Sequence, residues 1–193
     1  MRFSIAIFAT AALTAFASAS PLDARVADVQ GAQAFLTTLQ TTVTPLAAQL
    51  ASIQSNNATA ETVQPIADQL TAALTVATQA SDALKGQPQS VVLSGAHPGE
   101  VVPLENITKL IEDILNLLIP TLAGLDKILG PGGDLTHVLP PLGAGLSALV
   151  GSLLVDVIGL VIVLKPAVWS LLSGVSGLVS ALGLGPLIIA LGL

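Results

Sequence analysis

From Val138 to Leu193, 56 positions carry only two charges, Asp156 and Lys165. Within that stretch residues 142–164 form an apolar segment of 23, broken only by Asp156, and residues 167–193 carry no charge. At about 1.5 Å per residue either segment is long enough to cross a bilayer core of about 30 Å. A helix that is apolar on every side has to be covered, by other helices or by lipid. That requirement constrains the fold more than any other feature. The whole chain is 9% charged, where soluble domains carry roughly 25%. A mean hydropathy of +0.84 excludes a disordered chain. A net charge of −6 gives nothing to attract phosphates, so no nucleic acid partner is expected.

Small residues recur every fourth position in this tail. Gly143, Ser147 and Gly151 form one row, and Ser173, Gly177, Ala181 and Gly185 another. Such rows let helix backbones approach closely, and they leave self-association through the C-terminal hairpin open. Nine glycines fall in residues 142–193, and each costs about 1 kcal/mol relative to alanine inside a helix in water. The helices therefore need a partner or an apolar phase. The residues expected to meet lipid or another apolar surface are Leu146, Leu149, Leu153, Val157, Leu164, Trp169, Leu172 and Leu178. Trp169 beside Lys165-Pro166 resembles an interfacial anchor at the tip of a helical hairpin.

The other half has a different character. Val29, Ala32, Leu36, Leu39, Val43, Leu46, Leu50 and Ile53 alternate at spacings of three and four, the seam of an amphipathic helix. Pro45 is expected to kink it near Thr44. After the polar turn Ser55-Asn56-Asn57 the pattern restarts at Val63, Ile66, Leu70, Ala73, Ala77, Ala80 and Leu84, with Pro65 in its first turn and Lys85-Gly86 at its end. Residues 20–85 thus read as an amphipathic helical hairpin. Residues 86–103 carry Pro88, Gly95, Pro98, Gly99 and Pro103 and read as a linker or a functional loop. A third helix is expected over 104–129, striped by Ile107, Ile111, Ile114, Leu118, Leu125 and Ile128, with Pro120 kinking or dividing it. The fold class is all-α: an antiparallel bundle of about five helices whose last part, 140–193 within an apolar region 104–193, is a Gly/Leu-rich hairpin.

Met1-Arg2, the apolar run Ile5–Leu13 and Ala17-Ser18-Ala19 form the pattern of a secretory signal peptide over residues 1–19. Asn57-Ala58-Thr59 and Asn106-Ile107-Thr108 are acceptor sequons for N-glycosylation. Asn57 is the better placed, in its polar turn; Asn106 begins a helix.

Catalytic chemistry is missing from the pattern. The chain has no cysteine, and its two histidines, His97 and His137, do not complete a zinc site. Glu112 and Asp113 are adjacent and diverge by about 100° on a helix. No nucleophile elbow, phosphate loop or dinucleotide fingerprint is present. No enzyme activity, metal or cofactor is expected.

Ala17-Ser18-Ala19, then Val26, Val29 and Gln30, then two Ala/Thr/Gln-rich helices joined by a polar turn resemble the fungal hydrophobic surface-binding protein A family and its cell-wall mannoprotein relatives. The resemblance covers about residues 1–129. It implies a secreted helical protein of the extracellular space or cell wall that adsorbs to apolar surfaces or binds lipid. It carries over no catalytic residue.

Three readings follow. The first is a secreted, non-enzymatic, surface-active or lipid-binding helical protein that adsorbs to apolar surfaces, lipid or cell wall. The second is a protein of a secretory-pathway membrane, with two spans at 142–164 and 167–191. The third is a soluble carrier enclosing a fatty acid or sterol.

Overall fold

The computed structural model describes residues 31–54, 57–95, 100–129, 138–157, 160–173, 184–185 and 188–189. Six helices and no strand occur among them, so the all-α bundle is what the chain forms. The leader, Val29, His97, His137, Leu178, Gly177 and Ala181 lie outside the described residues.

Helix α1 (Ala32–Ala51) and helix α2 (Ala60–Asp82) form the first hairpin. The three-and-four spacing sets what α1 buries: Ala32, Leu36, Leu39, Val43, Leu46 and Leu50 are all covered, with Phe35 and Ala47 beside them. α1 continues through Pro45, which points outward, so the lost donor falls on the solvent side. α2 starts earlier than its apolar pattern does. The Thr59 N–H donates to Thr62 Oγ1 at 3.0 Å, half of a reciprocal cap. Pro65 is therefore the sixth helical residue and not a first-turn one. At the far end Gly86 adopts a φ of +74°, a left-handed conformation that turns the chain away.

The described parts of the expected linker, residues 86–95 and 100–103, are tied to each other. A one-turn helix, α3 (Gln89–Val92), leads into an isolated antiparallel bridge between Ser94 and Val101. The Val102 N–H donates to the Leu93 carbonyl at 2.7 Å, and the Gly95 N–H to the Glu100 carbonyl at 2.9 Å. Val92 and Val102 are buried beneath it. The loop also backs onto the start of α1, where a Cβ on Gly31 would stand 2.6 Å from Ser94 Oγ.

Helix α4 (Leu104–Leu129) runs unbroken through Pro120. It packs on α1 and, further round, on helix α6 (Leu160–Ser173), with a lighter contact to helix α5 (Leu139–Asp156). Three neighbours explain a buried face wider than one stripe: Leu115, Ile119 and Leu122 are covered as well as Ile107, Ile111, Ile114, Leu118 and Leu125.

α5 lies along α2, and two contacts fix the direction. Gly145 faces Leu74, and Ser152 meets Asp82. Residue numbers rise together on both helices, so α2 and α5 run the same way. The helices α1, α2, α4 and α5 thus pack chiefly as α1 on α2, α1 on α4 and α2 on α5.

The apolar stretch 142–164 is not one helix. α5 ends at Asp156, Val157 is extended (φ −107°, ψ 99°), and α6 begins at Leu160. The turn expected at Lys165-Pro166 falls instead at Val157, and α6 passes through Pro166. Among the described residues no helix is long and apolar enough to cross a membrane.

Candidate functional site

The leucines expected to touch lipid divide into inside and outside. Leu146, Leu149, Leu153, Val157 and Leu164 are buried to 2% exposure or less. Leu146, Leu149 and Leu153, with Val150, face Leu36 of α1 and Ile111, Ile114 and Leu115 of α4 across the bundle centre. The residual void there is about 10 Å³, room for no more than one water-sized sphere. These eight side chains close on one another at that point.

The outward side chains are others. Trp169 is 59% exposed and Ile162 80%. On α6, Leu160, Leu164 and Val168 recur every fourth residue and are fully buried, with the helix packed on α4. The opposite face carries Ile162, Lys165, Pro166 and Trp169, at helical spacings of three, one and three, all exposed. Val155 on α5 and Ile189 are exposed as well. Of the expected contacts, Trp169 alone is placed outside; the side chain of Leu172 is not among those described. Sequence reasoning missed Ile162. Its available signal was the period of four in Leu160, Leu164 and Val168, which turns residue 162 outward.

The small-residue row behaves differently from its spacing. Gly143 and Ser147 are buried, but a Cβ on Gly151 or Gly185 would meet nothing within 4 Å. The close helix approach is at Gly145, where a Cβ would lie 3.2 Å from Leu74 Cβ. Ser173 closes α6.

A second apolar feature lies on the first hairpin. α1 carries no charge over its whole length. Thr38, Thr41, Thr42 and Thr44 each turn their hydroxyl back to the carbonyl four residues earlier, at 2.6–2.9 Å. Each hydroxyl proton is thereby used within the helix, and the threonine methyls share the face with the hydroxyl oxygens. A groove of about 190 Å³ runs beside it, lined by Phe35, Thr38, Leu39, Ala73, Val76, Ala77 and Ala80.

A polar cluster that joins two helices lies at the end of α2. Asp82 pairs with Lys85 at 2.6 Å and accepts a 2.9 Å hydrogen bond from Ser152 Oγ. The Lys85 and Ser152 hydrogen bonds hold its carboxyl below the usual carboxylate range. It is a clasp between helices. Among the described residues no three His, Asp or Glu side chains gather as metal ligands would.

The two sequons are placed unlike each other. Asn57 is exposed in the α1–α2 turn, its Oδ1 accepting from the Gln54 N–H at 2.7 Å. Asn106 is exposed in the first turn of α4, but its sequon partner Thr108 is buried and donates to the Leu104 carbonyl at 3.0 Å.

No protein family, curated protein or solved structure matches this chain.

Proposed function

We propose that this is a secreted, non-enzymatic, surface-active helical protein that adsorbs to apolar surfaces. One observation carries the reading. Ile162 and Trp169 stand largely in water on a single face of α6, although Leu160, Leu164 and Val168 of the same helix are fully buried. Covering a side chain of this size releases on the order of 1.5–3 kcal/mol, which an external apolar surface would supply. The charge-free face of α1 and the groove beside it add to the surface available for adsorption. The leader pattern ending at Ala19 and the exposed sequon at Asn57 support secretion to the extracellular space or cell wall.

Removing residues 140–193 is a poor test, because it strips α5 from the core. Point changes on α6 leave the core intact. The full chain is expected to be depleted from detergent-free buffer by octadecyl-coated silica while keeping its helical circular dichroism. The double variant Ile162→Ser, Trp169→Ser is expected to stay in solution. A wild-type chain that remains in solution over the beads overturns the reading.

A further inference from the structure

We infer that Asn57, and not Asn106, carries a single N-linked oligosaccharide. The inference rests on the secretion half of the proposed function, and it says which of the two sequons the folded chain can offer to a glycosyl transferase.

An acceptor asparagine reacts through its side-chain nitrogen and is read together with the hydroxyl two residues on, so both groups must be reachable from one side. Asn57 meets that demand. It is exposed in the α1–α2 turn, and its Oδ1 accepts from the Gln54 N–H at 2.7 Å. A backbone N–H can only donate, so the atom facing it is the amide oxygen, and Nδ2 takes the other branch of the planar group. A sugar linked at Nδ2 leaves that acceptor in use. Two further bonds hold the turn without engaging Nδ2. The Asn57 N–H donates to the Gln54 carbonyl at 2.9 Å, and Thr62 Oγ1 donates to the Asn57 carbonyl at 2.6 Å. Thr59 is exposed and extended, at φ −112° and ψ 160°, just outside the helix it caps. Its hydroxyl meets Thr62 Oγ1 at 3.2 Å, a contact at the surface.

Asn106 is exposed too, but its sequon is wound into the first turn of α4. Residues two apart on a helix point about 200° from each other, so Asn106 and Thr108 address opposite sides. Thr108 is 3% exposed, and its hydroxyl is spent on the Leu104 carbonyl at 3.0 Å. Presenting this pair would mean unwinding the start of α4, where Ile107 and Ile111 are buried as well. At Asn57 nothing has to unwind. The α1–α2 turn also lies the whole length of α2, about 35 Å, from the Asp82 clasp, so a sugar there leaves that clasp alone. In the transfer, Nδ2 gives up one proton and bonds the anomeric carbon of a lipid-diphosphate oligosaccharide. The bond from that carbon to the diphosphate oxygen breaks, and the lipid diphosphate leaves with the electron pair.

The full chain, leader included, is expressed in a secreting eukaryotic host. Medium and cells are compared before and after treatment with peptide N-glycosidase, which removes the glycan and leaves aspartate where the modified asparagine stood. Protein in the medium is expected to drop by one glycan step on a gel. Peptide mass spectrometry is expected to read aspartate at position 57 and asparagine at position 106. Asn57→Asp keeps an acceptor for the Gln54 N–H, so it is expected to reach the medium at the wild-type level and to lose the gel shift entirely. Asn106→Asp is expected to keep the shift unchanged. Medium protein with no shift, with a shift of two steps, or with aspartate at position 106 overturns the assignment and leaves secretion standing. A chain held in the cells but modified at Asn57 alone bears out the assignment and overturns release. One held there unmodified overturns both.

Discussion

Ser152 Oγ donates a 2.9 Å hydrogen bond to Asp82 Oδ1 across 70 residues of chain. The bond joins the end of the first hairpin to the last third of α5, and Lys85 closes on the same carboxyl. Because both partners favour the ionised form, Asp82 has a folded-state pKa below its ordinary value of 3.8. A depressed carboxylate adds stability at pH above its unfolded pKa and loses it as pH falls through the folded one. Wild type is thus expected to melt above Asp82→Asn at neutral pH. The gap should start to close just below pH 4 and vanish in stronger acid. Thermal unfolding of the two proteins from pH 7 to pH 2 reads this directly; a gap independent of pH would show that the clasp does not depend on charge.

Two glycines of α5 predict opposite outcomes. A Cβ on Gly151 meets nothing within 4 Å, so Gly151→Ala keeps every contact and gains helix propensity. It is expected to raise stability by up to about 1 kcal/mol. Gly145 stands where α5 crosses α2, with Leu74 Cβ 3.2 Å from a built Cβ. Gly145→Leu must push the two helices apart, at a cost of about 1–3 kcal/mol. Urea unfolding of both variants against wild type separates them. Equal effects would mean that the α2–α5 crossing is not tight.

Gly86 turns the chain out of α2 with a φ of +74° and has open space around its Cα. Gly86→Ala therefore meets no clash, only the backbone cost of the left-handed region. Stability is expected to drop by about 1–2 kcal/mol. Gly86→Asn, which tolerates that region better, is expected to recover part of the loss in the same denaturant titration.

The first hairpin was legible because the three-and-four spacing runs through what α1 and α2 bury, although Phe35, Ala47, Ala67 and Leu74 widen the covered faces toward second neighbours. Val63, Leu70, Ala73 and Ala77 are covered as their spacing requires. α4 was legible as a helix but not in the width of its buried face, since Leu115, Ile119 and Leu122 meet neighbours that lie far along the chain. The turn at Val157 was hidden for a related reason. Lys165-Pro166 looked like the break, yet Pro166 faces outward and removes only one helical donor. Composition also could not separate Leu149 from Ile162. Both are branched aliphatics in an uncharged run, and only the packing of α5 and α6 decides that one is core and the other surface.

That division yields the sharpest prediction. Leu149 is 2% exposed and lines the bundle centre with Leu36 and Ile114. Leu149→Ala removes three carbons from a buried position and is expected to cost about 2–5 kcal/mol. Where the variant still folds, its adsorption to octadecyl silica should match wild type, because α6 is untouched. Ile162, at 80% exposure, predicts the converse. Ile162→Ser is expected to change stability by no more than about 0.5 kcal/mol while adsorption falls several-fold. Urea midpoints and bead depletion, measured on the same two variants, test both at once. If Leu149→Ala lost adsorption at full helicity and Ile162→Ser did not, the adsorbing side chains would be those inside the bundle, and the helices would have to open at the surface.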